Sequence, residues 1–166
     1  MYRQVNRTGP ALSHEDTAAL ERLLGCMLPS DYAAFLLRYN GGLPTPQTVP
    51  VQNWLAGGTH ADVYSLHRLG RDPANDTYDL RWALGCYLGR MPQGLLPIGD
   101  NGSGDQFCMW LVGEERGAVV LWDHEAEHCP ATHANLYRVA PTFTAFLELL
   151  TDPPDHWDSP PARLIR

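Results

Sequence analysis

The chain has 166 residues, of which 44% are hydrophobic, and a formal net charge of −7. That length suits one domain, the apolar fraction supplies a core and excludes global disorder, and the charge argues against a protein held on nucleic acid by phosphate contacts. No run of about 18 apolar residues occurs, so no membrane-spanning helix is expected.

The first residues, MYRQVNRTGPALSHED, have no apolar h-region and do not read as a signal peptide. Residues 1–12 read as an N-terminal arm, 13–151 as a single domain and 152–166 as a tail with four prolines. Ser13 is a candidate N-cap, with Asp16 three residues on. Leu20, Leu23, Leu24 and Met27 then follow at i, i+3, i+4, i+7 and predict a helix over 14–25. Pro29 blocks continuation and Ser30 can cap a second helix. Tyr32, Phe35, Leu36 and Tyr39 form its stripe, and Asn40-Gly41-Gly42 stops it with residues that tolerate positive φ.

Residues 43–61 are loop-like, with a short strand expected through 49–54 and another over 61–66. A turn cluster at 72–76 leads into a third predicted helix, 77–88, where Leu80, Leu84 and Leu88 recur at fourfold spacing. The apolar runs 95–98, 107–112 and 118–122 then predict strands separated by Gly99, Gly102, Gly104 and Gly117. Along 107–112 one face carries Phe107, Met109 and Leu111, and the other Cys108, Trp110 and Val112. A strand apolar on both faces belongs in the middle of a covered sheet. Residues 126–135 read as irregular or a short helical turn. Phe143, Phe146, Leu147 and Leu150 predict a last helix after Pro141. The fold class expected is α+β, an antiparallel β-meander with helices packed around it.

The polar residues gather at the strand ends. Asp100, Asn101 and Asp105 lie in a glycine-rich turn that is not a phosphate loop, because it lacks Gly-Lys-Ser/Thr and leads into a strand. Asp123, His124 and Glu125 follow the last apolar run. With Glu127, His128, Cys129 and His133 they resemble a metal cluster. His124 follows a strand directly, however, and Pro130 limits any helix that would place His124 and His128 together. No metal or cofactor is therefore expected. Asp105 with Glu125 could act as an acid–base pair, but no nucleophile motif accompanies them, and Gly102-Ser103-Gly104 lacks the spacing of a nucleophile elbow. Trp54 and Trp157 fall in loop-like segments and are candidate aromatic anchors. Cys26, Cys86, Cys108 and Cys129 show no framework spacing, which points to free thiols in a reducing, cytoplasmic setting.

Four motifs in order carry a resemblance: a helix ending in Asn40-Gly41-Gly42; Pro97-Ile98-Gly99 followed by Gly104-Asp105; a strand ending in Asp123-His124-Glu125; and a closing helix from Phe143 to Leu147. Together they resemble the SUKH superfamily, in the branch of the cell-wall assembly regulators, over roughly residues 14–151. The resemblance implies an α+β fold, no catalysis, and, as in most bacterial members, an immunity protein that neutralises a cognate toxin by direct binding. A regulatory interaction module with a cellular partner is the alternative, and a metal-dependent hydrolase a more remote one. The −7 charge adds the expectation of a basic partner, with neither nucleic acid nor membrane involved. The expected contact surface comprises Trp54, Asp100, Asn101, Asp105, Asp123, His124 and Glu125, with Trp54, Asp100 and Glu125 exposed. Residues 47–79 and the tail lie outside the family pattern.

Overall fold

A computed structural model describes residues 4–54 and 58–155. A short strand, β1 (Gln4–Asn6), comes first, within the expected arm. The Ser13 side chain accepts from the Asp16 N–H, and the Asp16 carboxylate accepts in return from the Ser13 N–H at 2.7 Å. This reciprocal cap starts α1 (His14–Leu24), and Gly25, at φ 70°, ends it. The predicted stripe is only half used. Leu20 is buried and Leu24 packs against the core, but Leu23 and Met27 are 63% and 66% exposed. Met27 lies beyond the helix end, so helical spacing no longer governs where it points.

The second helix, α2 (Ser30–Tyr39), lacks the expected Ser30 cap. Pro29 holds the cap position and no side chain bonds there. Asp31 instead accepts from the N–H of Tyr32 and from that of Thr144, both at 2.9 Å, joining this helix to the start of the last one. Asn40, at φ 52°, stops the helix as expected. Its amide donates to the carbonyls of Pro10 and Leu69 at 2.8 and 2.9 Å and accepts from the Leu69 N–H at 2.7 Å, so one side chain pins three segments.

Strand β2 (Leu43–Thr45) pairs antiparallel with β1, and β3 (Thr48–Pro50) with β4 (His60–Asp62). The strand expected over 61–66 is split, its second part being β5 (Ser65–Leu66). Helix α3 (Leu80–Tyr87) begins where the Asp79 side chain accepts from the Arg81 N–H. It is shorter than predicted, and Leu88, just past its end, is 84% exposed.

The main sheet is an antiparallel meander in the order β5, β6 (Leu95–Asp100), β7 (Gln106–Trp110), β8 (Val119–Trp122) and β9 (Leu136–Ala140). β7 is central, as its two apolar faces require. Phe107 and Met109 enter the larger core with Tyr32, Phe35, Leu36 and Ile98. Cys108 enters a smaller core on the other face with Met91, Val120 and Trp122. The last helix, α4 (Phe143–Leu149), is capped by the Thr142 side chain and closes the larger core. There Phe143 meets Tyr32 edge-on and Phe35 at a tilt, each with ring centres 4.9 Å apart. The architecture is thus α+β, a meander flanked by helices. All four cysteines are free thiols.

Candidate functional site

Three segments distant in sequence meet at one end of the meander. The first is the β6–β7 turn. Asp100 accepts from the Gly102 N–H at 2.8 Å, and Asn101 accepts through its side-chain oxygen from Ser103 and Asp105, so the turn is built by its own polar side chains. The second is the exit of β8. There Asp123 accepts from the N–H groups of Glu125 and Ala126 and caps a single 3-10 turn, His124–Ala126. The third is the loop carrying Trp54, whose indole N–H donates to the Asp123 carboxylate at 3.3 Å.

Asp105 joins the first two. It accepts from the backbone N–H of His124 at 3.0 Å and lies 2.7 Å from the His124 ring Nδ1, while its other oxygen accepts from the Asn101 amide at 2.8 Å. Gly104 lets the imidazole come this close. A Cβ there would lie 2.8 Å from the ring, and its φ of 109° is itself unfavourable for any side chain.

The expected residues do converge, but they divide into two kinds. Asp105 and Asp123 are 5% and 2% exposed and face inward. Each is surrounded by N–H donors and holds a turn in place. Trp54 was expected to be exposed. It is half-buried, packed against the larger core and tied to Asp123. Asp100, also expected in the open, is half-buried too, and burial pushes its carboxyl above the usual range while the Gly102 N–H and His67 act the other way. Glu125 is exposed, and His124 and Asn101 are partly accessible. Residues 55–57 of the loop, and Trp157 with it, lie outside the described residues.

Asp105, Asp123 and His124 offer ligand atoms within 4.8 Å of one another, a set that suits a divalent cation by chemistry. Every carboxylate oxygen of the set already accepts from an N–H, so the trio is accounted for as a hydrogen-bonded clasp. The 3-10 turn ends at Ala126, so His124 and His128 do not share a helical face.

A meander whose strand ends are locked by buried carboxylates defines a scaffold that presents loops. The sequence model of the SMI1 / KNR4 family (SUKH-1) matches residues 11–149, and the chain belongs to that family, which is generally one of non-enzymatic protein-interaction modules. Among its relatives is the SPbeta prophage-derived uncharacterized protein YokK of Bacillus subtilis (strain 168). The two are 28% identical over 159 residues, covering 86% of this chain and 76% of that protein. No helix among the described residues is long and apolar enough to cross a membrane.

Proposed function

We propose that this chain is a cytoplasmic bacterial immunity protein that neutralises a cognate toxin by binding it, without catalysis. The observation that carries this reading is the use made of the site's polar groups. Asp105 and Asp123 are consumed in fixing two turns, and beside them lies an acidic rim of half-buried Asp100 and exposed Glu125, with Asn101 and His124. Rigid turns at strand ends are where a scaffold places its contacts, and the −7 charge favours a basic partner. Family membership supports protein binding as the mode of action, and the prophage origin of one relative is in keeping with a gene that travels beside its target. The test is co-purification with the protein encoded immediately upstream, together with expression of that protein in cells with and without this chain. Capture and rescue are expected. Capture without any toxicity to rescue would favour the second reading, a regulatory module with a cellular partner, which the family match equally accommodates.

A further inference from the structure

Asp100 of the rim also borders the second side of the β6–β7 turn. Between β5, the start of α3 and this turn lies a cleft of about 380 Å³, walled by Tyr64, Tyr78, Trp82 and Tyr87. Asp100, His67 and Gln106 also line it. Gly102 packs directly on the Tyr64 ring, where a Cβ would lie 3.2 Å from a ring carbon, so the wall is held against the turn.

Two of the polar residues that line the cleft are tied to each other. The Gln106 amide nitrogen donates to the carbonyls of Gly104 and Asp105, which leaves its oxygen to face His67 Nε2 at 3.0 Å. That oxygen can only accept, so His67 carries its proton on Nε2. Burial, with His67 3% exposed, holds its ring below the ordinary histidine range and therefore neutral near pH 7. Nδ1 is then a bare lone pair, and it has no hydrogen-bond partner. Asp100 lines the same cleft; one of its oxygens accepts from the Gly102 N–H, and no ion pair among the described residues includes it. The arginines nearby are already engaged. Arg68 stacks on Tyr78 with its guanidinium 5.6 Å from the ring centre but is held by Asp76 at 2.9 and 3.1 Å. Arg90 stacks on Tyr87 and pairs with Glu127, and Arg81 pairs with Asp79.

We propose that this cleft is a socket for one arginine side chain of the protein partner. It presents aromatic faces beside the Asp100 carboxylate, which no cationic side chain among the described residues pairs, and this suits a planar, cationic group that both stacks and donates. A guanidinium can lie against the rings while its edge reaches Asp100. An ammonium has no planar face to stack. The volume is ample, since a water molecule occupies about 30 Å³. This inference rests on the reading of the chain as a binder of a basic partner, which supplies the charge complementarity, and it names the residue type that the partner inserts.

The isotope-labelled full chain should be titrated with N-acetyl-arginine amide, with its neutral citrulline counterpart and with N-acetyl-lysine amide, and followed by nuclear magnetic resonance. The arginine probe should give weak, saturable shifts confined to the Trp82 indole and residues 100–106. Citrulline should give none, and lysine should bind more weakly. Asp100→Asn should weaken the arginine probe about tenfold, the loss of one charge-assisted contact, while keeping the acceptor for the Gly102 N–H and hence the turn. Trp82→Leu, checked for an unchanged fold by its spectrum, should weaken it as well. Shifts spread over surface carboxylates, or equal responses to lysine or citrulline, would overturn the socket. If the upstream-encoded protein is captured while the arginine probe leaves the cleft unmoved, the socket fails and the binding reading stands. If the probe binds and no capture occurs, the guanidinium site stands and the immunity reading fails.

Discussion

Asp105 shows how much a single carboxylate can organise. It is buried, and its two oxygens take donors from Asn101 on its own turn and from both the backbone and the ring of His124, 19 residues away. Removing it strands a backbone N–H and an amide in a site with little water. Asp105→Ala should therefore destabilise the chain by roughly 2–4 kcal/mol, each orphaned group costing about 1–3 kcal/mol. Urea unfolding should show this as a lower midpoint with an unchanged slope. His67 makes a second prediction at this scale. Its folded-state pKa lies below the ordinary value of 6.5, with burial as the chief cause. Below about pH 6.5 the unfolded chain takes up a proton at this ring that the folded chain resists, so stability rises with pH up to that point and falls as the solution is acidified. Asp100, raised by burial, works in the opposite direction at lower pH, as its folded state holds a proton that the unfolded state has released. Unfolding at pH 7.5 and 5.5 should show the loss on acidification, and His67→Gln should reduce it.

Among the elements, the helices were legible where the chain's own ends enforced them. Ser13, Asp16, Gly25 and Asn40 mark boundaries that the structure keeps. The apolar stripes misled where they ran past those ends, as at Met27 and Leu88. β9 went unread because Leu136–Ala140 is an edge strand with three of its five residues half-buried or exposed, so its apolar alternation is blurred. The convergence at the candidate site was legible as turn chemistry. The inward aim of Asp105 and Asp123 was not, because burial is set by strand register and not by local spacing. The socket residues carried a faint signal, Tyr78 and Trp82 standing four apart at helical spacing, but their meeting with Tyr64 and His67 depends on β5 lying against β6. That pairing rests on Gly99, where a Cβ would lie 2.6 Å from the Ser65 carbonyl oxygen. Gly99→Ala should detach β5 and reduce amide protection at residues 65 and 66 before it affects β7 and β8, which hydrogen exchange would show.

At the scale of the whole molecule, an aromatic cluster packs α2 against α4. Phe35→Ala, removing a side chain that meets Phe143 and Tyr39, should cost about 3–5 kcal/mol, measurable as a fall in the urea midpoint. Charge acts over the same range. If a basic toxin is the partner, its association should slow as salt is raised and should slow further with Glu125→Lys, while folding is unchanged because Glu125 is exposed. Stopped-flow mixing at two ionic strengths would measure both. Trp54→Ala, by contrast, would loosen the Asp123 cap and should lower stability before it reports on binding.

The edges of the meander bear on how such a protein can change allegiance. One edge, β5, is two residues long, and the other, β9, carries Arg138 and accepts at that residue's carbonyl from the Gln52 N–H. Neither offers a long open ladder for another chain to extend by backbone pairing. Recognition is left to side chains on turns whose backbones are fixed by buried groups. If the chain binds a drifting target, Glu125, Ser103 or the proposed socket's aromatics can be exchanged to follow it, while Asp105, Gly104 and Asn40 hold the frame on which those exchanges are made.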